Sequence, residues 1–90
     1  MDKPTARIVK RFDYTKLVKR TTCPTIPIYK NPDDYPGKYM ARVYDMGEKL
    51  TNLVAVADTY EELLEAIPTG QMLRMERAPN DDPAIVETWV

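Results

Sequence analysis

The chain has 90 residues, 43% of them hydrophobic and 30% charged, and a formal net charge of −1; this is enough for one small core and leaves no room for a second domain. No apolar run approaches the roughly 18 residues of a membrane span, and the start of the chain has no apolar leader segment, so cytoplasmic residence is the expectation. One cysteine, no histidine and no serine exclude an internal disulfide, the Ser-His-Asp and Cys-His arrangements and the commonest metal-ligand sets.

The small net charge conceals a polarity along the chain. Residues 1–20 hold seven basic residues (Lys3, Arg7, Lys10, Arg11, Lys16, Lys19, Arg20) against Asp2 and Asp13, a balance of +5, whereas residues 21–90 hold six against twelve, a balance of −6. Residues 1–25 are therefore expected to form a basic arm or an extra strand, and residues 26–90 a single α+β domain. The arm either approaches nucleic-acid phosphates, through Arg7, Lys10, Arg11, Lys19 and Arg20, or lies on its own acidic body. Within it the β-branched pair Ile8-Val9 favours a strand over Arg7 to Phe12.

Between Thr21 and Tyr29, Pro24 and Pro27 forbid regular helix and allow an edge strand or an extended linker. NPDDYPG, from Asn31 to Gly37, is a turn in which Pro32 presets one position and Asp33 and Asp34 offer carboxylates to nearby amides. A hairpin is predicted next, Lys38 to Tyr44 and Leu50 to Ala57, with Asp45 to Lys49 as its loop centred on Gly47. Tyr60, Leu63, Leu64 and Ile67 follow at i, i+3, i+4 and i+7, one face of a helix, while Glu61, Glu62 and Glu65 face away. Asp58 with Glu61, or Thr59 with Glu62, has capping-box spacing, and Pro68 and Gly70 end the helix. Gln71 to Arg77 and Ala84 to Val90, separated by another proline-bounded turn with Asp81 and Asp82, complete a β-β-α-β-β order. The expected fold is an antiparallel, or mostly antiparallel, sheet of four to five strands with one helix on one face.

With Ala41, Val43, Leu73, Met75, Ala84 and Val86 turned to that helix, strand alternation places Lys38, Met40, Arg42, Tyr44, Met72, Arg74, Glu76, Ile85, Glu87 and Trp89 on the other face. One bulge in the last strand would turn Trp89 inward instead. The open face is either solvated and laced with Arg–Glu pairs or a contact surface, because Met, Arg and aromatic side chains are enriched at interfaces. Met40, Arg42, Tyr44, Arg74 and Trp89 are its candidate partner-binding residues, for a second protein or for a second copy of the chain.

Cys23 is isolated, the aspartate pairs sit in turns without EF-hand spacing, and Gly37, Gly47 and Gly70 lie too far apart to form a phosphate loop. No catalytic residue, metal site or cofactor is assigned, and the chain is expected not to be an enzyme. NPDDYPGKY at residues 31–39 with Arg42, DTYEELLEAIP at 58–68 and DDPAIVETW at 81–89 resemble segments of short uncharacterised proteins of phages, prophages and mobile elements of Gram-positive bacteria. The resemblance covers residues 28–90 and leaves the basic arm outside. It implies a stoichiometric binding protein that blocks a host or defence protein. In the nucleic-acid-mimic form of that reading Asp33, Asp34, Glu61, Glu62, Glu65, Asp81 and Asp82 stand in for phosphates. The alternatives are a sponge for an anionic nucleotide, held in a homodimer pocket by Arg42, Arg74 and Tyr44, and a nucleic-acid binder that uses the arm.

Overall fold

A computed structural model describes residues 7–45 and 49–90; the centre of the predicted hairpin loop, around Gly47, lies outside the described residues. The fold is α+β, with six strands and two short helices in the order β1 (Arg7–Ile8), α1 (Tyr14–Arg20), β2 (Pro24–Lys30), β3 (Tyr39–Asp45), β4 (Lys49–Ala57), α2 (Tyr60–Leu64), β5 (Arg74–Glu76) and β6 (Ile85–Trp89). The strands form one sheet ordered β1-β4-β3-β2-β6-β5. β1 runs parallel to β4 and the other neighbours are antiparallel. The expected four to five strands and single helix thus become a six-stranded mixed sheet with two helices. Beyond the predicted β-β-α-β-β order, β1 and α1 come from the basic arm and β2 from the proline-bearing stretch that follows it.

Local signals account for both helices. At α2 the cap falls on Thr59, whose hydroxyl accepts from the Glu62 amide at 3.1 Å, so the later of the two capping registers is taken. Leu63 and Ile67 are buried, and Tyr60 and Leu64 pack against the core, as the helical spacing predicts. The α-helix stops at Leu64, earlier than predicted; Ala66 and Ile67 then bond three residues back, to Leu63 and Leu64, in a tighter turn that still buries both side chains. Thr59→Ala removes the cap and is expected to cost about 1 kcal/mol, read as a lower midpoint in urea unfolding. At α1, Asp13 is the cap and accepts from the Lys16 amide at 3.3 Å. Phe12 before the cap and Leu17 four positions into the helix are both buried, the spacing of a hydrophobic staple.

β2 departs most from expectation, since it is an interior strand between β3 and β6 despite its prolines. Pro24 stands at its first residue, where a missing N–H is tolerated. The ladder to β3 pairs Pro24 and Thr25, passes over Ile26 and Pro27, and resumes at Ile28. Ile26 and Ile28 on this strand are fully buried, and their burial offsets the interrupted ladder.

Both helices lie on one face of the sheet, where Phe12, Leu17, Ile26, Ile28, Ala41, Val43, Leu53, Ala55, Leu63, Ala66, Ile67 and Met72 form the core. β3 follows the predicted alternation, but β5 and β6 do not. Ile28 pairs with Glu87 and the next residue, Tyr29, with Ile85, so β6 carries one extra residue at Val86. That bulge puts Ile85 and Glu87 on opposite faces, and Glu87 and Trp89 join Ile28 and Ile26 on the helix-covered side. Arg74 and Glu76, paired with Trp89 and Glu87, go with them. Leu73 and Met75, predicted to be inward, are 72% and 52% exposed, and Met72, predicted on the open face, is buried in the core.

Candidate functional site

The arm brings four of its five predicted residues to one cleft, while a cleft on the open sheet face brings together three predicted partner-binding residues and three predicted acidic ones. β1 is anchored to the sheet by its pairing with β4 and by the Val9 amide bonding the Val54 carbonyl at 2.8 Å. The Phe12 amide bonds the Ala66 carbonyl at 2.9 Å, which ties the β1–α1 connection to the end of α2. Phe12 and Leu17 then hold α1 against the core. Between β1 and α1 this leaves a cleft of about 420 Å³ with an apolar floor of Val9, Phe12, Leu17 and Leu53, walled by Arg7, Arg11, Lys16, Lys19 and Arg20. Lys16, Lys19 and Arg20 stand three and four residues apart, on one face of the helix.

Five cations against one carboxylate, that of Asp13, is an unusual lining for a concave site. Among the described residues the ion pairs are Lys38–Asp58, Arg42–Asp34 and Arg74–Glu87, so none of the five has a partner there. Lys19 and Arg20 lie in the last turn of α1, where the helix dipole offsets part of their charge. Their remaining mutual repulsion is relieved by any anion that enters. Of the predicted arm residues, Arg7, Arg11, Lys19 and Arg20 line this cleft; Lys10 lies in a different hollow, beside Glu62 and Glu65. Lys16 was not among the predicted site residues. Its helical spacing from Lys19 and Arg20, behind the Asp13 cap, is the signal that identifies it.

Comparison with known proteins finds no matching family model, curated protein or solved structure. The chemistry must therefore be argued from the residues.

The predicted partner-binding set is divided. Met40, Arg42 and Tyr44 lie on the face away from the helices, where Asn31 to Asp34 fold back to form a cleft of about 310 Å³ with Tyr29 and Asp82. Arg42 pairs with Asp34 at 3.4 Å, and its Nε is buried without a hydrogen-bond partner among the described residues. The Tyr29 and Tyr44 hydroxyls are 3.3 Å apart, and burial together with this bond raises the Tyr29 pKa. Arg74 and Trp89 are on the opposite face, so the nucleotide pocket predicted from Arg42, Arg74 and Tyr44 does not converge within one chain.

Arg74 and Trp89 instead surround Glu87, whose side chain is 1% exposed. Its carboxylate accepts from the Tyr60 hydroxyl at 2.8 Å to each oxygen, from Arg74 Nε at 2.8 Å and from Trp89 Nε1 at 2.7 Å. Burial pushes the Glu87 pKa up, but the three donors outweigh it and the net shift is downward. Tyr60 moves the other way, raised by burial and by its bond to the carboxylate. Three donors share the two oxygens of a carboxylate that is 1% exposed, an arrangement that holds Tyr60, β5 and β6 together. The Arg–Glu pairing expected of these strands is found in Arg74–Glu87, on the covered face, but no sequence signal brings Tyr60, 27 residues from Glu87, to it.

The predicted acidic surface is likewise not continuous. Asp33, Asp34 and Asp82 line the cleft on the open face, while Glu61, Glu62 and Glu65 belong to α2 and the turn after it on the other. Asp81 and Asp82 each accept from a turn amide, of Ala78 at 2.8 Å and of Ala84 at 2.9 Å. Cys23 is exposed, with its amide bonded to Asp45. Among the described residues no group of His, Cys, Asp or Glu is placed to hold a metal ion, and no helix is long and apolar enough to cross a membrane.

Proposed function

We propose that the chain is a binding protein that takes the phosphate backbone of a nucleic acid into the cleft between β1 and α1. The observation that carries this reading is the lining of Arg7, Arg11, Lys16, Lys19 and Arg20, five cations without ion-pair partners among the described residues. Phosphates supply the compensating charge, and the counterions they release drive association. The acidic remainder of the chain limits contact to this one region by repelling the same backbone elsewhere. Arginine forks engage phosphate in two-bond geometry while lysines act as point charges, and the cleft offers both.

Fluorescence anisotropy with short labelled single-stranded and duplex oligonucleotides tests this. If about three to five phosphates are neutralised, log affinity falls with log salt with a slope between about −2 and −4. The double reversal Arg11→Glu with Arg20→Glu is expected to lower affinity at least tenfold at low salt without lowering the unfolding midpoint. No binding by the native chain at low ionic strength, or full binding by the double variant, would overturn the reading.

The size and apolar floor of the cleft favour a second reading, a single anionic nucleotide with its base against Val9 and Phe12. The same variants separate the two. A mononucleotide that raises the melting temperature of the native chain but not of the double variant, while oligonucleotides bind no tighter than it does, selects the nucleotide.

A further inference from the structure

Among the described residues the outer edge of β5 has no neighbouring strand. β5 ends the sheet, and Arg74, Met75 and Glu76 are all exposed. Leu73 and Val90 exchange both backbone hydrogen bonds, at 2.7 and 2.9 Å, and the register continues with Arg74 opposite Trp89, Met75 opposite Thr88 and Glu76 opposite Glu87. In an antiparallel ladder hydrogen-bonded and non-hydrogen-bonded pairs alternate. Leu73 and Met75 therefore direct their N–H and C=O groups to β6, and Arg74 and Glu76 direct theirs outward.

We propose that this edge pairs with the same edge of a second copy, antiparallel, about a two-fold axis at Met75. The outward groups allow three symmetric registers. Centring on Arg74 or on Glu76 sets like charges opposite each other, which is destabilising. Centring on Met75 sets Arg74 opposite Glu76 of the partner subunit, and by symmetry the same pair forms again on the other side of the axis. Backbone and charge thus select one register, in which each Arg74–Glu76 pair exchanges two backbone bonds and carries an ion pair. Arg74 gives its Nε to Glu87, while the rest of its fork is half exposed and available. Glu76 has no ion-pair partner among the described residues. Met75, 52% exposed, meets its symmetry mate at the axis, and Leu73, 72% exposed, lies across from the stem of Arg77.

Edge strands commonly resist pairing by carrying charges of one sign. Here the two charges are opposite and flank the axis, so they attract a second copy. The result is one sheet of twice six strands, with the β1 edge and its basic cleft at each end, about 50 Å apart at the usual strand spacing.

Sedimentation velocity of the full chain from low micromolar to millimolar concentration tests the proposal, with no nucleic acid present. The native chain is expected to shift from monomer to dimer as concentration rises. Glu76→Lys, which places Lys opposite Arg74 of the partner subunit at an exposed position, is expected to stay monomeric throughout, with a melting temperature no lower than that of the native monomer because Lys also replaces a like charge opposite Glu87. Glu76→Gln is expected to fall between them, and added salt to weaken the native dimer. A native chain that stays monomeric, or a dimer that survives Glu76→Lys, overturns the proposal. Glu76 lies outside the basic cleft, so the failure of one reading is distinguishable from the failure of the other.

Discussion

Glu87→Ala is expected to lower the stability of the fold by about 3 kcal/mol, a large share of the roughly 5 to 13 kcal/mol that a chain of this size holds. The carboxylate is the common acceptor of the Tyr60 hydroxyl, the Arg74 guanidinium and the Trp89 indole. Arg74 is half exposed and turns to water when the acceptor is lost, but Tyr60 and Trp89 are packed against the core and leave donors unpaired. Glu87→Gln does not repair this, because its amide nitrogen faces donors where an acceptor is needed. Trp89 is the only tryptophan, so urea unfolding followed by its fluorescence reads the site directly. The sign of the pH dependence follows from the lowered pKa of Glu87. Its contribution is fully present above the ordinary carboxylate pKa and is lost as pH falls through the lower folded value. The native midpoint is therefore expected to drop in acid, and that part of the drop to be missing in Glu87→Gln. A midpoint within experimental error of native for Glu87→Ala would mean that the centre is not closed as described.

What the sequence made legible is what depends on near neighbours. The stripe of Tyr60, Leu63, Leu64 and Ile67 needs only helical periodicity, and the β3–β4 pairing needs only alternation and a loop; the strands are found close to their predicted limits, while the helix closes at Leu64 and leaves Ile67 to the tighter turn that follows. The faces of β5 and β6 turn on one extra residue at Val86; the sequence admits a bulge in the last strand that turns Trp89 inward, which is the arrangement found, but nothing in PAIVETW places it. Period two makes such an error total: Trp89 and Arg74 move to the covered face together, and the predicted contact surface loses two of its five members. β2 was misplaced for a different reason. Proline chemistry argued for an edge or a linker, whereas the burial of Ile26 and Ile28 between two neighbouring strands decided the outcome. α1 is only seven residues long and its apolar stripe is too short to register, but the Asp13 cap with the Phe12 and Leu17 staple was readable. With that helix in hand, Lys16, Lys19 and Arg20 fall on one side, and the basic arm reads as one wall of a cleft.

Phe12→Ala is expected to cost still more, about 4 kcal/mol, within the range for emptying a buried phenylalanine site. Phe12 is 4% exposed, packs in the same core as Leu17 and Ile67, and carries the amide that bonds Ala66. Little around it can collapse into the space, because the chain leaving α1 is tied to β3 by the Asp45 carboxylate, which accepts from the Thr22 and Cys23 amides. Leu17→Ala is expected to follow at about 3 kcal/mol, and the double variant to cost less than the sum, since the two side chains belong to one core cluster. Because both side chains also form the floor of the basic cleft, the same variants are expected to weaken anion binding while every cation remains present. Arg11→Glu with Arg20→Glu is the complement, losing affinity at native stability. If Phe12→Ala left the unfolding midpoint where it was, residues 7–20 would not be docked on the sheet; the cleft would then lose the rigid wall that holds five like charges together, and the phosphate-binding reading would lose its physical basis.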